Sequence, residues 1–307
     1  MTKVLVATVK PFIPESVEKI KKITDEAGYE FVLLEKYADQ GEFVDAVADV
    51  DALIIRSDKA TREVIEAAKN LKIIVRAGAG YDNIDLEAAT EKGIVAMNTP
   101  GQNSNAVAEL ALGMMVYMAR NGFNGKAGTE LKGKKLGLHA YGNVGKLIAG
   151  IAKGFGMHVF AFDPFIPKDV IEGDDVACIE SAEELYSTCS YVSLNIPAND
   201  ETKASINYEL MAKMPEPAVL VNPARKEVIH EDDLLRMFAD REDFSYISDI
   251  APDCKDTIAE KYPGRFFFTP KKMGAQTTEA NINAGVAAIT QIRDFLENGD
   301  TTFQVNK

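Results

Sequence analysis

Several things are scarce in this chain, and each shortage excludes something. No stretch of its 307 residues approaches the ~18 consecutive apolar residues of a membrane-spanning helix. The amino terminus, Met-Thr-Lys-Val-Leu-Val-Ala-Thr-Val, enters a strand pattern at once. It lacks the longer apolar region and small-residue cleavage site of a secretory signal. Cysteine is limited to Cys178, Cys189 and Cys254, an odd number with no metal-ligand spacing. That excludes a disulfide framework, offers no metal site, and fits reduced structural thiols in a cytoplasmic setting. Positive charge is short as well: 34 Lys and Arg against 47 Asp and Glu, a formal net charge of −13. A nucleic-acid surface would usually be basic. Arginines meant for an anionic ligand must therefore be clustered locally, against an unfavourable overall field. Repeats, low-complexity tracts and long linkers are also missing. What remains is an ordinary globular composition, 46% hydrophobic and 26% charged, long enough for about two domains with separate cores.

Strand and helix patterns alternate throughout. Apolar runs at 3–9, 30–34, 52–56, 72–76 and 94–97 read as strands. After the first, Val17, Ile20, Ile23, Thr24 and Ala27 form a helical stripe, with Gly28 as its C-terminal cap. Short helices are expected around 43–48, 64–68 and 86–89. This alternation predicts a parallel sheet covered by helices, complete by about residue 97. A long apolar helix follows, with Val107, Leu110, Ala111, Met114, Met115 and Met118 on one face, then a looser Gly- and Lys-rich stretch over 121–135. A second series has strands near 176–179, 191–194, 218–222, 246–250 and 266–269. The last helix spans about 277–297, with Ile282, Val286, Ile289, Ile292, Phe295 and Leu296 apolar. The fold class is α/β, with two doubly wound parallel-sheet domains. The ligand site is expected in the cleft between them, at the carboxyl ends of the strands.

The second domain opens on Lys135-Leu-Gly-Leu-His-Ala-Tyr-Gly-Asn-Val-Gly145. Behind the turn, Val144, Leu147, Ile148, Ile151, Ala152 and Phe155 fall on one helix face, and the next apolar run, 158–162, ends at Asp163. Strand, glycine turn, helix, strand and acid form the layout of a dinucleotide site. Glycines let the backbone approach a pyrophosphate, the helix N-terminus stabilises its charge, and the acid accepts from ribose hydroxyls. Gly142 and Gly145 hold the close-approach and helix-packing positions, while Ala140 stands where the first glycine is usual. A side chain there predicts a negative φ. The charge of Asp163 selects NAD over a 2′-phosphorylated cofactor, and Pro164 and Phe165 supply no arginine to offset it.

With these motifs in that order, the chain resembles the D-2-hydroxyacid dehydrogenases, most closely the D-3-phosphoglycerate dehydrogenases. The densest match is Val75-Arg-Ala-Gly-Ala-Gly-Tyr-Asp-Asn-Ile-Asp-Leu-Glu-Ala-Ala-Thr-Glu-Lys-Gly-Ile-Val-Ala-Met-Asn-Thr-Pro-Gly-Gln-Asn-Ser104, followed by Ala106-Val-Ala-Glu-Leu110. The resemblance covers nearly the whole chain. It implies a flavodoxin-like substrate domain, residues 1–97 with 284–307 returning to it, and an inserted Rossmann NAD domain, residues 98–283. It also implies a homodimer built on the NAD domains and a small anionic substrate. The final helix is followed by only a few residues, so the regulatory domains of longer phosphoglycerate dehydrogenases are not expected.

Oxidising a 2-hydroxy acid requires a grip on the carboxylate, a base for the hydroxyl proton, and a nicotinamide within about 3–3.5 Å of the reacting carbon. Val221-Asn-Pro-Ala-Arg-Lys-Glu-Val228 resembles the family segment that carries the catalytic arginine, which places that role on Arg225. A guanidinium forks onto a carboxylate as lysine cannot. Two glycines usual after it are Lys226 and Glu227 here. The family's histidine segment reads Thr269-Pro-Lys-Lys-Met-Gly-Ala-Gln276, which puts Lys272 at the histidine position. None of His139, His158 and His230 lies in that segment; the first two are expected to be structural and His230 to start a helix. A free lysine has a pKa of about 10.4, so desolvation, Arg225 and a positive nicotinamide must all favour its neutral form. The glutamate that usually supports the histidine reads Cys254 here, leaving Asp253, or else Asp256, to take that part.

At the substrate's far end, Arg56 and Arg76 close adjacent strands and match the arginines that grip the phosphate in this family. The backbone of Gly78 and Ala79 is expected against the substrate and nicotinamide. By the same resemblance, Asn143 and Val144 offer amides to the pyrophosphate, Ile196 and Pro197 pack along the adenosine, and Ala224, Gly274 and Ala275 line the nicotinamide, with Asp249 bonded to it. The expected activity is NAD-dependent oxidation of D-3-phosphoglycerate to 3-phosphohydroxypyruvate, the first step of serine synthesis. The alternatives are a glyoxylate or hydroxypyruvate reductase, and a non-catalytic NAD(H) sensor resembling the dehydrogenase-fold corepressors.

Overall fold

Short runs such as Ala-Leu-Ile-Ile and Ile-Ile-Val carry no polar side chain for solvent, so they are stable only as strands covered on both faces. In the computed structural model, which describes residues 1–306, these two runs are fully buried. The chain divides into two units, Met1–Asn103 with Gln276–Lys307, and Ser104–Ala275.

The first unit contains β1 (Lys3–Thr8), β2 (Glu30–Glu35), β3 (Ala52–Ile55), β4 (Ile73–Arg76) and β5 (Val95–Asn98). They form one parallel sheet in the order β2-β1-β3-β4-β5, the flavodoxin-like order. In the register, Ile55 stands opposite Arg76, so the residue after β3 and the last residue of β4 leave the same end of the sheet. The helix Thr278–Asn298 packs on this sheet through Ala284, Ala288, Ile289 and Ile292. Asn306 closes the edge: its Oδ1 accepts from Ala96 N at 2.7 Å, and its Nδ2 donates to Ile94 O and Thr90 Oγ1.

The second unit contains β6 (Lys135–His139), β7 (His158–Phe162), β8 (Ala177–Cys178), β9 (Tyr191–Leu194), β10 (Val219–Asn222), β11 (Ser245–Ser248) and β12 (Phe266–Phe268). Its parallel order is β12-β11-β10-β9-β6-β7-β8, and the direction of winding reverses between β6 and β9. Ligands bind such sheets at that reversal, beyond the carboxyl ends of the strands. The helix Ser104–Ala119 buries more than the single face its pattern predicts. Ala106, Ala108 and Leu112 are covered along with Val107, Ala111, Met114 and Met115, because it is wedged between the helix Asn143–Gly154 and the sheet.

The changeovers fall after Asn103 and before Gln276, where the sequence suggests 97 and 284. Thr99 N and Asn98 Nδ2 bond Gly78 O and Ala79 O, which keeps that segment with the first sheet. The last helix joins the first unit from its opening turn, where Asn281 bonds Ile13 N and Ser16 Oγ. Among the described residues, no helix is long and apolar enough to cross a membrane, and no group of three or more His, Cys, Asp and Glu could hold a metal ion.

Candidate active site

The turn after β6 lies at the reversal of the second sheet. Gly142 is the N-cap of the helix Asn143–Gly154 and has no side chain to cap it. The amides of Asn143, Val144 and Gly145 therefore lack intrahelical partners and point outward with the positive end of the helix dipole. A Cβ at Gly142 would meet nothing within 4 Å, whereas one at Gly145 would lie 2.6 Å from Ala140 O. The first glycine leaves open space for a ligand; the second lets the helix close on the turn. Ala140 corrects the expectation of a negative φ: its φ is 78°. The residue is held there from both sides, its N–H donating to Phe162 O at 2.9 Å and its carbonyl accepting from Asn195 Nδ2. The turn thus has the shape a glycine would give it, with the strain of a side chain added.

Asp163, just past β7, accepts from Tyr141 N through Oδ2 at 2.8 Å and from Phe165 N through Oδ1 at 2.9 Å. Each oxygen retains a lone pair for a hydroxyl donor. Tyr141 is fully buried and donates its hydroxyl to Asp174, so one residue ties the glycine turn to both acids. Ile196 is buried and Pro197 beside it exposed, just beyond β9. An uncapped helix start, an open glycine and a carboxylate with spare acceptors fit a dinucleotide.

The same unit brings the two leading catalytic candidates together. Arg225 Nη1 donates to Ala224 O at 3.1 Å, and Lys272 Nζ donates to the same oxygen at 2.8 Å. Asn222 shapes the arginine's turn, accepting from Ala224 N and donating to Arg225 O and Tyr246 Oη. Asp249 is 1% exposed. It accepts from Met273 N and Gly274 N, both at 2.7 Å, and from Thr269 Oγ1. Ala275 follows, half-buried. Asp253 faces elsewhere: its carboxylate is 79% exposed and ion-paired with Lys226. Cys254 is held neutral, its thiol pushed up to about 12 by burial and by the nearby Glu231 carboxylate. It offers no charge where a glutamate is usual.

In the first unit, Arg76 Nε donates to Arg56 O at 3.0 Å, and Asn83 Nδ2 shares that carbonyl. Arg56 is partly committed. Its Nη1 donates to Lys10 O and Pro11 O, and its guanidinium lies over Phe12. Burial lowers its pKa, yet an arginine stays charged. Asp58, two residues on, is engaged by other donors: its Oδ1 accepts from Val9 N and Tyr37 Oη. Gly78 has a φ of 152°, and a Cβ there would fall 1.7 Å from Arg76 Nη1. It is glycine to admit the Arg76 guanidinium, a reason the sequence does not reveal. Ala79 beside it is exposed.

Residues 4–306 match the family described as D-isomer specific 2-hydroxyacid dehydrogenase, catalytic domain. The chain belongs to that family. It is similar to a solved structure of cofactor (NAD+)-bound 3-phosphoglycerate dehydrogenase from Entamoeba histolytica, with 47% identity, a TM-score of 0.90, and 100% of this chain and 99% of that one covered. It is 36% identical over 277 residues to D-3-phosphoglycerate dehydrogenase of Methanocaldococcus jannaschii, covering 83% of this chain and 51% of the relative. It is 35% identical over 282 residues to hydroxypyruvate reductase of Thermotoga maritima, covering 86% and 90%. The chain thus spans about half the length of the first of these two curated relatives and most of the second.

In this family member the three histidines lie apart from the Lys272 loop. His230 caps the helix Glu231–Asp240, accepting from Asp233 N. His158 begins β7 and is exposed. His139 ends β6 against Tyr186 Oη, and burial pushes its pKa down to about 4 despite the Asp163 and Glu183 carboxylates. Sequence reasoning passed over Asn222, Tyr141 and Asn83 as active-site supports. Their only signal is a polar residue at the end of an apolar run, and that signal is common.

Proposed function

We propose that this dehydrogenase oxidises D-3-phosphoglycerate to 3-phosphohydroxypyruvate, with NAD as its cofactor and Lys272 as its acid/base. The observation that carries the reading is the convergence of Lys272 Nζ and Arg225 Nη1 on Ala224 O. A hydrogen-bond donor for the substrate oxygen and an amine that can take its proton stand side by side. When bound, NAD supplies the hydride acceptor. Gly142, Asn143, Val144 and Gly145 hold its pyrophosphate and Asp163 its ribose, while Ile196, Pro197, Ala224 and Ala275 pack along its length. Arg225 forks onto the substrate carboxylate and polarises the C2 oxygen. Neutral Lys272 takes the C2 hydroxyl proton at Nζ and returns it in the reverse direction. A lysine has no tautomer to fix, so it works without the missing glutamate, and Asp253 serves the neighbouring Lys226 instead. Arg56 and Arg76 supply the positive charge for the phosphate, with Gly78 and Ala79 giving close backbone approach. Assembly as a homodimer through the cofactor unit belongs to the same proposal.

The second reading, a hydroxypyruvate reductase, is favoured by the 90% coverage of such a relative. The two separate on the arginines. Steady-state kinetics should compare D-3-phosphoglycerate with its unphosphorylated counterpart, D-glycerate, for the chain and for Arg56→Gln/Arg76→Gln. A charged hydrogen bond is worth about 1.5–3 kcal/mol, so the double variant should lose at least ~10-fold in kcat/KM on the phosphorylated substrate. It should change little on D-glycerate. Equal losses on both, or a preference for D-glycerate in the unaltered chain, would favour the reductase.

A further inference from the structure

Lys272 and Arg225 sit on different loops, yet one closed circuit of hydrogen bonds joins them. Beginning at Lys272, the next two amides, Met273 N and Gly274 N, donate to the two oxygens of Asp249. The backbone N of Asp249 donates to Asn222 O at 3.0 Å. The Asn222 side chain then holds Ala224 N and Arg225 O, and Ala224 O receives both Arg225 Nη1 and Lys272 Nζ. The circuit between the two catalytic candidates passes through two buried side chains, Asp249 and Asn222. The fit at Asp249 is tight: a Cβ on Gly274 would lie 2.8 Å from Asp249 Oδ2 and 3.0 Å from Val107 Cγ2. Thr269, at the other end of the lysine loop, donates its hydroxyl to Asp249 Oδ1. One carboxylate thus grips that loop at both ends.

We propose that Asp249 is a positioning residue for Lys272, setting the amine beside Arg225 by clamping the 269–274 loop, its buried carboxylate being taken up by that loop and not by the nicotinamide. The inference rests on the reading of Lys272 as acid/base. Asp249→Asn tests it, because an amide has one acceptor oxygen and would turn its NH2 towards a backbone N–H. Loop release misplaces the lysine, and misplacement of about 1 Å can cost ~100-fold in rate. Asp249→Asn should therefore lower kcat by at least ~10-fold while leaving NADH affinity, read by fluorescence titration, within about threefold. In a Lys272→Ala background the same substitution should change neither residual turnover nor NADH affinity. Thr269→Val, which removes one of the three bonds and keeps the carboxylate, should lower kcat several-fold with NADH affinity intact. Wild-type kcat in Asp249→Asn or in Thr269→Val would overturn the proposal. So would a large loss of NADH affinity on Asp249→Asn both in the unaltered chain and in the Lys272→Ala background. Turnover by Lys272→Ala at the unaltered rate would instead overturn the acid/base reading on which the clamp rests.

Discussion

His139 should remain neutral well below the pH at which a free imidazole protonates. It closes β6, immediately before the glycine turn, and its ring is packed against Tyr186 and Phe162. Burial lowers its pKa from 6.5 to about 4, outweighing the attraction of Asp163 and Glu183. Because the folded value lies below the unfolded one, the unfolded chain takes up the proton first as pH falls. The stability contributed by neutral His139 is therefore complete above about pH 6.5 and lost as pH drops towards 4. Each pKa unit is worth 1.36 kcal/mol, so the full loss is about 3 kcal/mol. The chain has three histidines, so ring C–H resonances in a two-dimensional NMR titration should be few enough to assign with His139→Gln. The His139 resonance should hold its neutral position down to about pH 5. Urea unfolding should show the unaltered chain losing about 3 kcal/mol relative to His139→Gln between pH 7 and 4. A His139 midpoint near 6.5, or parallel stability curves for the two proteins, would refute the argument.

Two further substitutions probe the frame of each unit. Gly145→Ala should cost about 1–3 kcal/mol, since the added methyl meets the Ala140 carbonyl, a backbone atom that cannot step aside. Thermal unfolding and NADH titration should both report it, the second by weakened binding. Asn306→Ala would leave Ala96 N and Ile94 O without their side-chain partners at the edge of β5. The expected loss is about 2 kcal/mol or more, with faster hydrogen exchange at the Ala96 amide; unchanged exchange there would argue that the tail does not protect this edge.

The strands were legible because parallel, doubly covered strands must be short continuous apolar runs, and the runs at 52–56 and 191–194 are little else. The glycine turn before the helix Asn143–Gly154 was legible for a similar reason, since spacing alone sets glycine, helix and acid in order. Ala140 was not. Its positive φ is imposed by bonds to Phe162 and Asn195, residues far away in sequence. Nor was the purpose of Gly78, whose missing Cβ makes room for Arg76, two residues earlier. Domain changeovers were misplaced by several residues because Thr99 and Asn281 are recruited to the first unit by hydrogen bonds, not by apolar pattern. Lys272 could be picked out only by what stands around it, and its neighbour Arg225 only as a family position. That both address Ala224 O is a property of two loops folded together.

Whether Lys272 moves the substrate proton is decided by the turnover of Lys272→Ala with NAD and D-3-phosphoglycerate, read as NADH absorbance alongside NADH affinity. General acid–base catalysis typically contributes about 10²–10⁴-fold. Lys272→Ala should lower kcat by that much, with NADH affinity within about threefold of the unaltered chain. A Lys272→Ala protein that oxidises D-3-phosphoglycerate at the unaltered rate would contradict that role.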